Sequence, residues 1–262
     1  MNDNLIQSVD RALQILKMFS LSKPRLGITQ ISRELGLHKG TIQGLVRTLT
    51  NAGFLQRDEE TRRYQLGFTI FELGIILAGS LEINHKALVP AQNLAEKTQH
   101  LVRIAILDSD SALVTLDTYP MPQRFLTWQY GPRAPIYCTA LGKALIAFLS
   151  KREIEAYLKK TNFIPFTPKT ITNKNEFLKE LEETRKRGYS INQGENMLSR
   201  AAIGAPIFGC AQQPVASICL VGGPGDILGE NRENLAEIIM ETALEISLLM
   251  GSNQGVIYQK KI

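Results

Sequence analysis

In the first quarter of the chain the apolar residues have helical spacing up to about residue 52 and strand-like spacing after it. A first helix is expected from Ser8, a good N-cap residue, to about Phe19. A short second helix ends at Gly36, and a third follows over residues 39–52. The apolar stripe of the third helix, at i, i+3, i+4 and i+7, consists of Ile42, Leu45, Val46 and Leu49. Strands at residues 54–57 and 62–66, joined by a polar turn, complete a pattern typical of a winged helix-turn-helix.

Beyond this unit the apolar pattern changes twice. Residues 68–78 are apolar on nearly every side, which predicts a helix buried between domains or against a second copy of the chain. Another helix is expected at residues 86–98, with Pro90 near its first turns. The remaining expected strands are 101–107, 112–119, 125–130, 189–192, 202–208 and 215–221, and the remaining helices are 139–149, 153–160, 175–187 and 230–250. This succession indicates an α+β domain with a mostly antiparallel sheet flanked by helices.

The distribution of charge separates the two parts of the chain. The net charge is +5 over 262 residues. Residues 1–66 hold ten Lys or Arg and six Asp or Glu, so this quarter carries +4 and the remaining three quarters carry +1. A basic small domain beside a nearly neutral larger one indicates a phosphate-binding head on a body that binds something else.

Several classes of protein are disfavoured by what the sequence lacks. Its apolar runs are far shorter than the roughly 20 residues of a membrane span, and no signal peptide is evident. Three cysteines without paired spacing indicate reduced thiols in a cytoplasm. We expect no metal, no cofactor and no catalytic residue, because the sequence has neither a metal-ligand pattern nor a nucleophile motif. An enzyme would have to combine Cys138 or Cys210 with His85 or His100.

Six short motifs, in this order, resemble those of the IclR family of bacterial transcription regulators. They begin at Ser8, Gly36, Tyr64, Thr139, Arg187 and Gly204. The resemblance covers essentially the whole chain and implies a winged helix-turn-helix, a linker helix and a GAF-like effector-binding domain. The corresponding boundaries are residues 1–67, 68–85 and 86–251, with a C-terminal tail at 252–262.

The expected DNA-contacting residues lie on the third helix and on the hairpin. They are Lys39, Gly40, Thr41, Gln43, Gly44, Arg47, Thr48, Arg62 and Arg63. Arg47 can pair with guanine and Gln43 with adenine. Relatives usually carry Ser at the position of Gly40 and often Arg at that of Gly44. Two glycines on one helix face predict either close approach of the backbone to DNA or an altered operator preference. Alternatively, these are ordinary surface residues.

The resemblance also implies where an effector would bind. The expected lining comprises Trp128, Thr139, Ala140, Leu141, Gly142, Asn192, Ala202, Leu220 and Gly222. Thr139 is a suitable N-cap, and the N–H groups after it favour a carboxylate. Because Asn192, Ala202, Leu220 and Gly222 replace more polar residues of relatives, we expect an aromatic or alkyl effector that still bears a carboxylate. The alternative for Leu220 and Ala202 is ordinary core packing.

The resulting expectation is a cytoplasmic transcription regulator, by default a repressor. Its partners would be a double-stranded DNA operator, a small organic effector and further copies of itself, as a dimer or a tetramer. The alternatives are an architectural DNA-binding protein without a ligand and, much less favoured, a small-molecule enzyme.

Overall fold

The computed structural model describes residues 5–120 and 131–253. The chain divides into two compact units, residues 1–80 and 81–262. The expected strand at residues 125–130, and with it Trp128, lies outside the described part. Among the described helices, none combines the length and apolar character needed to cross a bilayer.

Within residues 5–80, the first unit contains four helices and a two-stranded sheet. The helices are α1 (Gln7–Lys17), α2 (Ile28–Leu35), α3 (Lys39–Asn51) and α4 (Phe68–Ser80), and the strands are β1 (Leu55–Arg57) and β2 (Tyr64–Leu66). The strands pair in antiparallel fashion between α3 and α4, which confirms the winged helix-turn-helix order. Ser8 is not the N-cap of α1. That position is Ile6, which makes no side-chain capping bond, and Ser8 lies within the first turn.

A small apolar core holds the first three helices and the wing together. Its fully buried members include Ile15 of α1, Ile31 of α2, Ile42 and Val46 of α3, and Leu55 of β1. The apolar stripe predicted for α3 therefore faces this core, and the opposite face of the helix is exposed. Gly53 follows α3 with φ +76°, the left-handed conformation expected of a glycine that ends a helix.

In the described part of the second unit, residues 81–120 and 131–253, the strands form a six-stranded antiparallel sheet. Its strands are β3 (Leu101–Asp108), β4 (Ser111–Thr118), β5 (Arg133–Pro135), β6 (Ser190–Gln193), β7 (Ala201–Phe208) and β8 (Pro214–Gly222). Their order across the sheet is β5-β4-β3-β8-β7-β6, and neighbours run antiparallel. This confirms the α+β class with an antiparallel sheet.

Helices cover both faces of this sheet. One face packs against α5 (Glu82–Thr98), α9 (Pro224–Leu228) and α10 (Arg232–Leu249), through residues such as Ile104, Ile203 and Leu220. The other face packs against α6 (Ala140–Ala147), α7 (Lys151–Lys160) and α8 (Lys174–Arg187), through residues such as Ala105, Ala202 and Cys219. Strands β7 and β8, neither of which is an edge strand, are therefore buried on both sides.

Several boundaries and two short elements differ from the sequence-based expectation. α5 begins at Glu82 rather than at residue 86, so Pro90 lies buried in its middle instead of near its start. Arg62 adopts φ +54° in the turn of the hairpin, and β2 begins only at Tyr64. The short elements β5 and α9 were not expected, because three to five residues are too few to show a period.

Candidate DNA interface and effector pocket

A broad hollow lies between the exposed face of α3 and the hairpin. Gly40, Gln43, Gly44 and Arg47 line it at successive turns of α3, and Arg57 and Tyr64 line it from the hairpin. The hollow is open to solvent and has a volume of about 700 Å³. A helix face beside a basic hairpin is the arrangement with which winged helix proteins bind a major groove and its flanking backbone.

Local sequence explains how α3 presents this face. Gly36 ends α2 in the left-handed conformation, at φ +65°, which allows a tight turn into the next helix. His38 is the N-cap of α3, and its Nδ1 accepts a hydrogen bond of 3.2 Å from the backbone N–H of Gly40. The fully buried Ile42 and Val46 then fix the rotation of the helix about its axis.

The predicted DNA-contacting residues fall into two groups. Gly40, Gln43, Gly44 and Arg47 are brought together in the hollow. The other five predicted residues are exposed but do not line it, and they are Lys39, Thr41, Thr48, Arg62 and Arg63. The hydroxyl of Thr48 donates to the carbonyl of Gly44 at 3.0 Å, so it is engaged with its own helix.

The turn of the hairpin is preorganised by one carboxylate. Asp58 accepts hydrogen bonds from the N–H groups of Glu60 and Thr61, at 3.1 and 3.0 Å, and it pairs with Arg25 at 3.0 Å. The backbone hydrogen bond from Thr61 is the main reason why the pKa of Asp58 lies below its usual value. Arg62 and Arg63 follow directly, so the turn holds two cations at the tip of the wing.

A second concave site lies in the sheet unit, on the face covered by α6. Its cavity measures about 100 Å³, which is smaller than the roughly 300–1,000 Å³ of most small-molecule sites. Its polar lining consists of Arg103, Arg133, Thr139, Asn192, Asn196 and Arg200. Small apolar residues, among them Ala140 and Ala202, form much of the remainder.

The start of α6 forms one wall of this pocket. Thr139 is the N-cap, and its hydroxyl accepts from the N–H of Gly142 at 3.2 Å while donating to the carbonyl of Pro135 at 2.6 Å. Ser190 donates to the carbonyl of Ala140 at 2.7 Å. These bonds fix the first turn of the helix, whose N–H groups carry partial positive charge.

The structure places five of the nine expected effector residues in the pocket lining. They are Thr139, Ala140, Leu141, Asn192 and Ala202. Leu220 and Gly222 do not line it, because β8 directs Cys219 and Val221 to the pocket and the alternate residues to the opposite face. Gly142 also does not line it, since a Cβ there would lie 2.2 Å from the Cα of Ile136.

Three arginines in the lining were missed by sequence reasoning. The signal for Arg103 was available, because this charged residue interrupts the apolar strand over residues 101–107. Arg103 is 6% exposed, and its Nε donates to Oδ1 of Asp117 at 2.8 Å. Burial alone would lower the pKa of Arg103, but the hydrogen bond and charge of Asp117 outweigh it, so the pKa is raised.

A buried ion pair stabilises one wall of the pocket. Lys143 of α6 is only 1% exposed, and its Nζ lies 2.7 Å from Oε1 of Glu195 and 3.6 Å from Oε1 of Glu180. Burial raises the pKa of Glu195 above its usual value, against the opposing effect of Lys143. Glu195 directly precedes Asn196 of the lining, so the pair holds that wall in place.

Asn192 joins two walls of the pocket. Its Nδ2 donates to the carbonyl of Cys138 at 3.2 Å, and its Oδ1 accepts from the N–H of Glu195 at 2.9 Å. The carbonyl of Glu195 accepts from the hydroxyl of Thr170 at 2.6 Å. A ligand that displaces Asn192 would therefore move both the segment before α6 and the segment after β6.

The thiols of the sheet unit do not resemble catalytic nucleophiles. Cys138 and Cys219 are buried, and burial raises the pKa of each to about 12, which disfavours the reactive thiolate. Cys210 is exposed. Within residues 5–120 and 131–253, no cluster of three or more His, Cys, Asp or Glu could hold a metal ion.

The fold and the hollow beside α3 define a winged helix DNA-binding protein with a second, α+β unit that contains a pocket. Residues 8–59 match the IclR helix-turn-helix domain, and residues 76–248 match the bacterial transcriptional regulator IclR C-terminal domain. The chain therefore belongs to the IclR family of DNA-binding transcription regulators.

Individual relatives agree with this assignment. The chain is 30% identical to the HTH-type transcriptional regulator XynR of Escherichia coli, over 94% of this chain and 98% of that one. It is 26% identical to the transcriptional repressor IclR of the same organism, over 94% and 90% of the two chains. These relatives are regulators rather than enzymes.

The fold recurs in a solved structure, an IclR homologue of Microbacterium hydrocarbonoxydans complexed with 4-hydroxybenzoate. The TM-score is 0.78 at 20% identity, and the match covers 93% of this chain and 99% of that one.

Proposed function

We propose that this protein is a sequence-specific repressor whose affinity for its operator is controlled by a small organic anion. It would act as a homodimer in the cytoplasm. The observation that carries the proposal is the presence, in one chain, of an exposed α3 face beside a basic hairpin and of a pocket in the sheet unit whose lining includes arginines. A ligand-independent architectural protein would not need the pocket.

On DNA, α3 would lie in the major groove. Arg47 and Gln43 are exposed on the face that lines the hollow, where each can reach a base edge. A bidentate pair of this kind contributes about 1–3 kcal/mol of discrimination between bases. Arg62 and Arg63 at the tip of the wing would contact phosphates or the adjacent minor groove.

Self-association is supported by the apolar surface of the first unit. Phe68, Phe71, Ile75, Ile76 and Leu77 of α4 are each more than half exposed. A second copy that covers α4 would remove this surface from water, and it would supply the second head that a palindromic operator requires. Half-sites would then be spaced about 34 Å apart, or at multiples of this distance. A pair of such dimers would form a tetramer.

The effector would act through thermodynamic linkage between its own binding and the binding of DNA. A ligand changes operator affinity only if it binds the DNA-competent and DNA-incompetent states with different affinities. The pocket is suited to this role because Asn192 connects its two walls. The ligand-bound homologue supports an organic acid as the effector, since 4-hydroxybenzoate is a carboxylic acid.

The direct test is fluorescence anisotropy of the full-length protein on its own upstream DNA, at low ionic strength, with and without organic acids. We expect selective binding that Arg47→Ala weakens by roughly 10- to 100-fold. Arg152→Ala on α7 removes the same charge from the other unit and should leave binding nearly unchanged. Equal affinity for the upstream region and for random DNA would refute the proposal.

A further inference from the structure

We propose that Arg57 and Tyr64, on the inner face of the hairpin, hold a phosphate of the operator backbone that separates the major groove from the adjacent minor groove. The inference rests on the proposed function, because it specifies how the same DNA interface is positioned on the duplex. It assigns a contact to the side of the hairpin that faces α3. The sequence-based expectation placed the contacts of the hairpin at its tip, at Arg62 and Arg63.

The first argument is the register of the hairpin, which places Arg57 and Tyr64 side by side. They are partners in the β1–β2 pairing, as are Leu55 and Leu66 two residues away. Directly opposed residues point to the same face of a sheet, and so do residues two apart on one strand. Leu55 is 2% exposed in the core that includes α3. Arg57 and Tyr64 therefore continue the same face outward from the core, and both line the hollow.

The backbone of Tyr64 is held on both sides. On one side it pairs with Arg57 of β1. On the other side its N–H donates to the carbonyl of Leu26 at 2.8 Å, and its own carbonyl accepts from the N–H of Leu26 at 2.9 Å. The side chain of Tyr64 is partly buried against the core. The position of the pair is thus fixed before DNA binds, which lowers the entropy lost on binding.

The second argument is the charge of the hollow. Two arginines and no aspartate or glutamate are among the described residues that line it. Within the described part of the chain, neither Arg57 nor Arg47 forms an ion pair or a side-chain hydrogen bond. The carboxylate next to Arg57 in sequence, Asp58, is engaged by Arg25 and by two N–H groups of the turn. An exposed guanidinium without an internal partner is suited to bind a phosphate.

The third argument is the geometry of the duplex. One sugar-phosphate backbone lies between a major groove and the neighbouring minor groove. With α3 in the major groove and the tip of the hairpin on the minor-groove side, this backbone has to pass between the helix and the hairpin. The hollow occupies that space, and its volume of about 700 Å³ leaves room for phosphate and sugar groups.

Arg57 and Arg47 line the same hollow but have different roles in this arrangement. A phosphate is the same at every step of the duplex, so the contact of Arg57 positions the protein without selecting a sequence. Selection belongs to Arg47 and Gln43 on α3, which face base edges. The two arginines therefore give opposite expectations for selectivity when each is removed.

The test measures binding of the full-length protein to its own upstream DNA and to random DNA of equal length, by fluorescence anisotropy at several salt concentrations. Arg57→Gln should weaken binding to both by a similar factor, roughly 10- to 100-fold per bound head. It should also reduce the slope of log K against log salt by about 0.9 per bound head. Tyr64→Phe removes only a hydroxyl and should weaken both by roughly 2- to 10-fold with little change of slope. Arg47→Ala should instead weaken binding to the upstream DNA more than to random DNA.

Two controls separate a local contact from the overall charge of the unit. Arg57→Gln combined with Gln56→Arg keeps the net charge but moves the cation to the opposite face of β1, and it should not restore binding. Arg152→Gln removes the same charge from the other unit and should leave the slope unchanged. Thermal unfolding checks that each variant is folded, which we expect for Arg57→Gln because this side chain is exposed.

Three results would overturn the inference: an unchanged salt slope for Arg57→Gln, a loss confined to the upstream DNA, or full restoration of binding by the moved cation. Each of them leaves the proposed regulator intact as long as the parent protein prefers its upstream DNA. Equal affinity of the parent protein for upstream and random DNA would instead refute the proposed function.

Discussion

Two helices of similar apolar character, α4 and α6, lie in opposite environments. All eight residues of α6 are buried, including Lys143. Every residue of α4, all of which are described, is at least partly exposed, and Phe71 and Ile76 are each 67% exposed. Apolar composition therefore predicts that a helix needs a covering surface, but it does not say which molecule supplies that surface. α6 finds its cover in its own sheet, and we propose that α4 finds it on a second copy.

The glycines of the two helices show the same contrast. A Cβ on Gly142 of α6 would lie 2.2 Å from the backbone of Ile136, and one on Gly204 of the underlying sheet would lie 2.9 Å from the carbonyl oxygen of Ala140. Glycine is thus required where α6 meets its neighbours. A Cβ on Gly74 of α4 would meet nothing within 4 Å. Among the described residues of its own chain, no neighbour requires glycine at this position.

The largest expected effect comes from breaking the ion pair inside the α6 core. Lys143→Met keeps the volume of the side chain but leaves the carboxylate of Glu195 buried without its cation. We expect a loss of about 3–5 kcal/mol of stability in the sheet unit, measured by urea unfolding. Adding Glu195→Met should recover much of it, because two apolar side chains remove the unpaired charge.

The control is Lys159→Met, an exposed lysine of α7, which should change stability by less than about 0.5 kcal/mol. If Lys143→Met were equally mild, the buried pair would contribute little, and the description of α6 as a tightly determined core helix would be wrong.

The next largest effect concerns α4 and the stability of the proposed dimer. Ile76→Ser should barely alter the stability of the isolated fold, because this side chain is already in water. If α4 is covered by a second copy, the dissociation constant of the dimer should rise by roughly 10- to 150-fold, the value of one apolar side chain. Analytical ultracentrifugation measures this change. Ile164→Ser, at a residue 51% exposed in the other unit, is the matched control. An unchanged dissociation constant would show that α4 is not part of the dimer interface.

The same comparison explains what could be predicted from sequence. The α3 face was predictable because helical periodicity is local: the stripe of Ile42, Val46 and Leu49 fixes which residues point outward. The motif at Thr139 likewise located the start of α6, since an N-cap is determined by its own neighbours.

The pocket was less predictable because it is assembled from distant strands. β8 is buried on both faces, so its sequence shows no alternation, and nothing local distinguishes the side of Leu220 from that of Cys219. An offset of one residue reverses every side chain of a strand. Arg133 and Arg200 could be assigned to one site only after the strand order was known.

A smaller effect is expected from alanine at the buried glycine. Gly142→Ala forces a methyl group against the backbone of Ile136, and we expect a loss of about 1–3 kcal/mol from overpacking. Gly74→Ala, its counterpart on α4, should instead stabilise the helix by up to about 1 kcal/mol. Thermal unfolding of both variants checks the difference in sign. A Gly142→Ala protein as stable as the parent would show that α6 can move away from its neighbours.

The smallest effect concerns Gly44. Like Gly74 of α4 it has open space around it, but it lies on the predicted DNA-contacting face of α3. It lies within α3, and a Cβ there would meet nothing within 4 Å, so the fold itself does not require glycine. Gly44→Ala should raise stability by about 1 kcal/mol, measured by urea unfolding. If the helix backbone approaches base edges closely, the same methyl group should weaken operator binding, whereas affinity for random DNA, which depends on phosphates, should change less. A more stable protein with unchanged operator affinity would show that the α3 backbone does not approach DNA closely at Gly44.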